Sequence, residues 1–217
     1  IKFKLTLNEE QKIAKEAILN NTLTLLAGSA GSGKTLLACQ IALDGLFCKQ
    51  YDKIIITRPT VSKEDIGFLP GDLREKMDPW VQPIYQNMYA LYDKVKIEKY
   101  IESGQIEIVP VSFMRGRTFL DSLIIVDEAQ NVTHEQMEMI VTRIGLRSKM
   151  VICGDDHQVD LKSKRDSGFR FLYSASRKIK NMNGITLKHN HRDPIVDGLI
   201  NLYEEAAEVG IVSGSKK

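Results

Sequence analysis

Leu23–Thr35 reads LTLLAGSAGSGKT: a short β-prone apolar run, a glycine-rich stretch, then a lysine and a threonine that open a second apolar run as far as Leu43. Gly28, Gly33, Lys34 and Thr35 stand at the GxxxxGK(S/T) phosphate-loop spacing, and the context of strand before and helix after is what that motif requires. Four such residues at fixed offsets arise by chance in under about 1% of chains of this length, so the loop reading decides the fold class. Each residue type has a chemical reason. Gly28, Gly31 and Gly33 let the backbone adopt positive φ and approach an anion with no Cβ in the way. Their amide hydrogens and the positive end of the following helix then form a concavity suited to a β-phosphate. Lys34 has the reach for the β- and γ-phosphates, and the Thr35 hydroxyl is the expected protein ligand of Mg²⁺. Ser29, Ala30 and Ser32 fill the spaces between these residues. The run Gly28 to Thr35 is thus the expected nucleotide cradle, with ATP and Mg²⁺ the expected cofactors.

Working outward, Leu123–Gln130 (LIIVDEAQ) is the second strong signal. Its apolar residues predict a buried strand that delivers two acids to its C-terminal end, the end at which open α/β sheets bind ligands. Asp127 is expected to hold Mg²⁺ and its waters, and Glu128 to act as general base on an attacking water. The competing reading is a strand followed by two solvated acids. A third run, Met150–Cys153, ends in Gly154, Asp155, Asp156, His157 and Gln158; here Gln158 or Asp155 is the candidate sensor of the γ-phosphate, against a plain turn. Past a last strand over Gly184–Leu187 come His189, His191 and Arg192. Metal binding by the two histidines is not expected, and Arg192 is the candidate donor to the γ-phosphate of its own or an adjacent subunit's nucleotide.

The remaining segments fit the same plan. Asn8–Leu19 predicts a capped amphipathic helix with Ile13, Ala14, Ala17 and Ile18 inward. Lys53–Thr57 (KIIIT) predicts a buried strand, placing Arg58 and the loop through Pro70 and Gly71 on the active face. Arg58 meets a nucleic-acid phosphate, a neighbouring subunit or only solvent. Asp72–Lys99 predicts helices broken at Pro79 and Pro83, with its aromatic row as core or subunit contact more than a base-stacking platform. A strand over Ile106–Val109 leads into a turn whose Arg115 and Arg117 either grip a phosphate backbone or sit in a solvated loop. Helices are expected over His134–Leu146 and Ser167–Ile179, and a closing amphipathic helix over Ile195–Ala207. Strands alternating with helices predict an α/β fold with one parallel sheet covered by helices on both faces. If the chain resembles the additional-strand P-loop enzymes, Met150–Cys153 would lie between Leu23–Ala27 and Leu123–Asp127.

With 217 residues, 43% hydrophobic and 27% charged, the chain suits one α/β domain, expected over residues 1–209 with a flexible tail at 210–217. A net charge of +2 does not by itself announce a polyanion partner. Cys39, Cys48 and Cys153 are not at zinc spacing and are expected to be reduced core thiols of a cytoplasmic protein. No apolar run has membrane-spanning length, so no membrane partner is expected.

GSAGSGKT, TRPTV, GFLPGDLREKMDPW, FMRGRT, IIVDEAQN, EQMEMIVTRIG, GDDHQVDL and SGF occur in the order and at about the spacing of the PhoH family of phosphate-starvation-inducible ATPases, which the chain resembles from about Thr22 to Tyr203. The resemblance implies a RecA-like P-loop NTPase core related to superfamily 1 helicases, ATP hydrolysis, ring-shaped hexamers and a role in RNA metabolism. By matching motifs it assigns Lys34, Thr35, Asp127, Glu128, Gln158 and Arg192 the roles above. A superfamily 1 enzyme would use a glutamine at the position of Gln11 to read adenine; the alternative is a solvated helix glutamine. The ribonuclease of two-domain relatives is expected to be absent. The segment Lys162–Arg165 is more basic than the family pattern, and His191 replaces a different residue in many relatives. An arginine finger is expected from a neighbouring protomer, hence a homo-oligomer acting on single-stranded nucleic acid. A small-molecule kinase and a slow nucleotide switch are the other function classes.

Overall fold

The computed structural model describes residues 6–59, 73–155, 161, 163–191 and 193–209, with the backbone alone for residues 73–80 and for several positions in the last helix. Six strands form one sheet: β1 (Leu23–Ala27), β2 (Lys53–Thr57), β3 (Ile106–Ile108), β4 (Ser122–Val126), β5 (Lys149–Gly154) and β6 (Met182–Thr186). Their order is β3-β2-β4-β5-β1-β6 and every pairing is parallel. As expected from sequence, β5 lies between β1 and β4.

Alternation along each strand divides the core in two. Leu26, Ile54, Ile56, Leu123, Ile125, Val151 and Cys153 face one side and meet α1 (Glu9–Asn20), α2 (Lys34–Phe47), α3 (Leu73–Leu91) and α4 (Lys94–Glu102). Leu25, Ile55, Ile124, Val126, Met150 and Ile152 face the other and meet α5 (His134–Val141) and α6 (Gly168–Ser174). Helices thus cover both faces, as the apolar runs require of strands buried on both sides.

Several local expectations change. In α1, Ala14, Ala17 and Ile18 are buried but Ile13 is 55% exposed. Gln11 takes the inward place instead, lying with Ala14 and Ile18 along one stripe. The helix α3 runs unbroken through Pro79 and Pro83. Spaced four apart, the two prolines withhold donors on one side, and Pro83 is exposed, where water can satisfy the freed carbonyl. Buried Val81, Ile84, Met88 and Leu91 anchor the opposite side, and Tyr92 donates its hydroxyl hydrogen to Asp44. The helix expected to reach Leu146 stops at Val141, because Thr142 turns its hydroxyl back onto the Glu138 and Met139 carbonyls and residues 143–146 pair with 119–121. Likewise α6 ends at Ser174, five residues short of Ile179. The last helix, α7 (Pro194–Glu208), forms but does not close the core: Ile195, Leu199, Leu202 and Tyr203 are exposed. Cys39 and Cys153 are buried as expected, while Cys48, just past the end of α2, is exposed. Among the described residues no helix is long and apolar enough to cross a membrane.

Candidate nucleotide site

All the strands are parallel, so the C-terminal ends of β1, β4 and β5 open on the same edge of the sheet, and the loops leaving them line one cavity of about 540 Å³. That volume is in the range of small-molecule sites. Lys34, Thr35, Asp127, Glu128, Gln130 and Asp155 are among its lining residues. Three separated segments named from sequence therefore converge.

The phosphate loop has the backbone that its glycines foretell: Gly28, Gly31 and Gly33 have φ of 152°, 90° and 83°. At Gly33, the residue before α2, this left-handed turn aims the first helical amides at the cavity. Gly28 has a further constraint, since a Cβ there would stand 2.4 Å from the Leu187 carbonyl oxygen. Lys34 folds over the loop, donating to the Gly28 and Ser29 carbonyls at 2.7 and 2.9 Å. The Thr35 hydroxyl donates to Asp127 Oδ1 at 2.7 Å, so the two expected magnesium ligands already touch. These are hard oxygen donors beside a concave run of amides, a set that fits Mg²⁺ carried by a nucleotide's phosphates. Burial raises the Asp127 pKa above the ordinary carboxylate value; the neighbouring Glu128 charge adds to this, and the Thr35 hydroxyl and Arg58 oppose it. Burial, with the field of Asp127, also pushes the Cys39 and Cys153 thiols up, which makes them inert packing groups.

Glu128 follows β4 in the left-handed region, at φ 51° and ψ 37°, unusual for a residue with a side chain. This reverses the chain into a single 3₁₀ turn over Ala129–Asn131 and leaves the carboxylate at the cavity. Gln130 is buried and bridges two strand ends: its amide nitrogen donates to Glu128 Oε2 at 2.7 Å, and its Oε1 accepts from the Asp155 backbone amide at 3.0 Å. Nothing in the sequence reading singled out Gln130, although its place two residues after Glu128 was the available signal.

Gln11 is neither solvated nor isolated. It is 5% exposed, its Oε1 accepts from the Asn8 amide in a reciprocal helix cap, and its Nε2 lies 3.0 Å from His191 Nε2. His191 in turn donates its backbone N–H to the Gly31 carbonyl at 3.1 Å, and Leu187 donates to Ala27 at 2.8 Å. Glu10 accepts from the Lys188 and His189 amides, which hold its carboxyl below the usual range. The segment 187–191 is thereby strapped across the phosphate loop, a contact no sequence pattern announced.

Of the nucleic-acid candidates, Arg115 is exposed next to exposed Phe113. Arg117 instead makes a two-pronged ion pair with Glu107 at 2.8 and 3.0 Å and lies over the Phe119 ring, so its guanidinium has a structural task. Arg58 reaches Glu128 Oε1 at 3.4 Å. Gln158 and Arg192 lie outside the described residues, as do Pro70, Gly71, Asp156, His157 and Lys162.

A profile of the PhoH-like protein family matches residues 5–204. A PhoH-like protein of Synechocystis sp. is 39% identical over 197 residues, covering 88% of this chain and 59% of that protein. Protein PhoH of Escherichia coli K12 is 41% identical over 157 residues, covering 71% of this chain and 44% of its own. The chain therefore spans well under two-thirds of the length of these relatives. Among solved structures, the UvsW helicase of bacteriophage T4 superposes with a TM-score of 0.53 at 14% identity, over 86% of this chain and 61% of the helicase, which places the sheet among RecA-like P-loop folds. With the phosphate loop and the two acids in place and the family profile matched from residue 5 to residue 204, this chain belongs to the PhoH family.

Proposed function

We propose that this domain binds MgATP at the cavity beside β1, β4 and β5 and hydrolyses it. The observation that carries the reading is the convergence of Lys34, the Thr35–Asp127 pair and Glu128 on one cavity. The loop amides and Lys34 would hold the β- and γ-phosphates, and Thr35 and Asp127 would hold Mg²⁺, which neutralises charge on those phosphates when bound. Glu128 would take a proton from the water as its oxygen attacks Pγ; the bond from Pγ to the β-phosphate oxygen breaks and ADP leaves. Water is favoured over a kinase's hydroxyl substrate because the second acid stands directly beside the metal-binding one. Gln158 is the proposed γ-phosphate sensor. Arg192 is the proposed finger, and its neighbour His191 lies on the phosphate loop.

The coupled partner we propose is single-stranded nucleic acid, RNA foremost, laid over the same sheet edge near Arg58, with the domain acting in a homo-oligomeric ring in the cytoplasm. Support for an assembly is the exposed apolar row Ile195, Leu199 and Leu202 on α7. The deciding experiment measures ATP turnover and nucleotide binding for Glu128→Gln and Lys34→Ala. Glu128→Gln is expected to bind ATP and to lose about 10²–10⁴-fold in turnover, and Lys34→Ala to weaken both. Full turnover by Glu128→Gln would sink the assignment.

A further inference from the structure

The base identified above is not at liberty. One oxygen of the Glu128 carboxylate accepts from Gln130, and the other lies 3.4 Å from the Arg58 guanidinium. Each contact fixes where a carboxylate oxygen points, and the cation at one of them competes with a water for that oxygen. The two contacts differ in character. Gln130 is buried and reaches back into the fold, whereas Arg58 and Glu128 are 26% and 38% exposed, so their pair is weak and screened.

Arg58 also stands at a crossing point. It directly follows β2, whose Thr57 carbonyl accepts from the Asp127 amide at 2.9 Å on one side, while on the other side Ile56 accepts from Val109 at 2.8 Å, where the Phe113–Arg115 loop begins. Arg58 and Glu128 therefore stand side by side at the C-terminal edge of neighbouring strands β2 and β4. A polyanion lying along that edge would meet Arg58 beside the base.

We propose that Arg58 is a positioning residue that exchanges one contact: it gives up Glu128, held in the resting protein, for a backbone phosphate when a single-stranded polynucleotide is bound. A phosphate accepts two parallel charge-assisted bonds from a guanidinium and so outcompetes the single longer contact to Glu128. Arg58 then leaves, one carboxylate oxygen becomes available to the attacking water, and binding on the sheet edge is felt as faster hydrolysis. This inference rests on the hydrolytic role of Glu128 and adds the regulation of that role.

The test is steady-state ATP hydrolysis by the whole chain with and without poly(U) RNA or an oligo(dT) strand at one fixed salt concentration. Wild type is expected to be slow alone and stimulated by either polymer. Arg58→Ala is expected to raise the unstimulated rate by roughly 5-fold or more, to lose the stimulation, and to leave KM for ATP unchanged. Arg58→Lys, which keeps the charge without the fork, is expected to fall between the two. An unstimulated rate in Arg58→Ala that is equal to or below wild type overturns the proposal, as does stimulation that survives the substitution or a rate that rises with protein concentration and not with polymer. The reading of Glu128 is tested separately by Glu128→Gln. Loss of turnover there alongside an unchanged Arg58→Ala rate rejects the switch alone, and full turnover in Glu128→Gln rejects the base. Matching thermal melts of Arg58→Ala and wild type confirm that the folded proteins are being compared.

Discussion

Gln130→Leu is the perturbation that separates a base held in place from a carboxylate that merely happens to face the cavity. Leucine is close to glutamine in volume and removes both hydrogen bonds at once: the 2.7 Å donation to Glu128 and the 3.0 Å acceptance from the Asp155 amide. The first is a bond to a charged group, worth about 1.5–3 kcal/mol; losing the second leaves a buried amide unsatisfied at a cost of about 1–3 kcal/mol. Their sum, taken without assuming full additivity, is about 2–5 kcal/mol. For a chain of this size each kcal/mol lowers the midpoint by about 2–4 °C, so the melt is expected to fall by roughly 5–20 °C. A general base contributes about 10²–10⁴-fold, and loosening its aim is expected to forfeit part of that, a fall in kcat of about 10- to 100-fold. Nucleotide affinity is expected to stay within about threefold, since in the proposed complex the loop amides and Lys34 would carry the phosphate contacts. Calorimetry, kcat measurement below the melt and binding of a fluorescent ATP analogue check the three numbers. A kcat within twofold of wild type would refute the idea that Gln130 aims the base, and an unchanged melt would refute the two-bond accounting.

Two further outcomes follow from local geometry. Gly28→Ala would set a Cβ 2.4 Å from the Leu187 carbonyl and 2.9 Å from the Ser32 hydroxyl, at positive φ; backbone must move, costing about 1–3 kcal/mol, and a melt within a degree of wild type would contradict that contact. Glu107 is held below the ordinary carboxylate value first by its hydrogen bonds with Arg117 and then by that residue's charge, with burial opposing. Its native pKa is thus lower than in the unfolded chain, so the pair stabilises above the unfolded value and its contribution disappears as pH falls through the native one. Both partners are about one-third exposed, which limits the effect to about 1 kcal/mol. Glu107→Gln is expected to melt a few degrees lower at pH 7 and level with wild type well below pH 4, and a gap that widens on acidification would show the sign to be wrong.

How much of this was legible beforehand depends on whether the governing interactions are local. The phosphate loop and the strand that ends in Asp127 and Glu128 follow from residue type and spacing, because buried parallel strands need continuous apolar runs and the loop needs glycines where φ is positive; the place of β5 between β1 and β4 was expected from the strand order of additional-strand P-loop enzymes. Helix ends were less legible, since α5 stops where residues 143–146 find partners at 119–121 and not where its own pattern fades. Pro79 and Pro83 read as breaks, yet packing of the buried side of α3 outweighs two absent donors. Gln11 could be placed on a helix but not in its environment, because His191, 180 positions away in the chain, sets it. Arg117 read equally as a phosphate grip or a solvated loop residue, because its partner Glu107, ten positions earlier, meets it only in the fold.

Glu128 shows why local rules fail where the chemistry is. A residue with a side chain at φ 51° costs about 1–2 kcal/mol relative to the right-handed or extended regions, and a glycine there would avoid the cost. Had the chain stayed extended past Asp127, Gln130 could not turn inward to reach the Asp155 amide while Glu128 stays at the cavity. The left-handed turn meets both demands, and the Asn131 amide, bonded to the Glu128 carbonyl at 3.2 Å, helps to fix it. The strain is therefore stored in the residue proposed as the base; Gln130, the group that would aim it, holds the strained turn from within, and Arg58 restrains the carboxylate from the exposed side. Under the proposed mechanism such a contact would give a ligand on the sheet edge a direct route to the reaction: removing Arg58 would alter the charge beside Glu128 without dismantling the buried support beneath it.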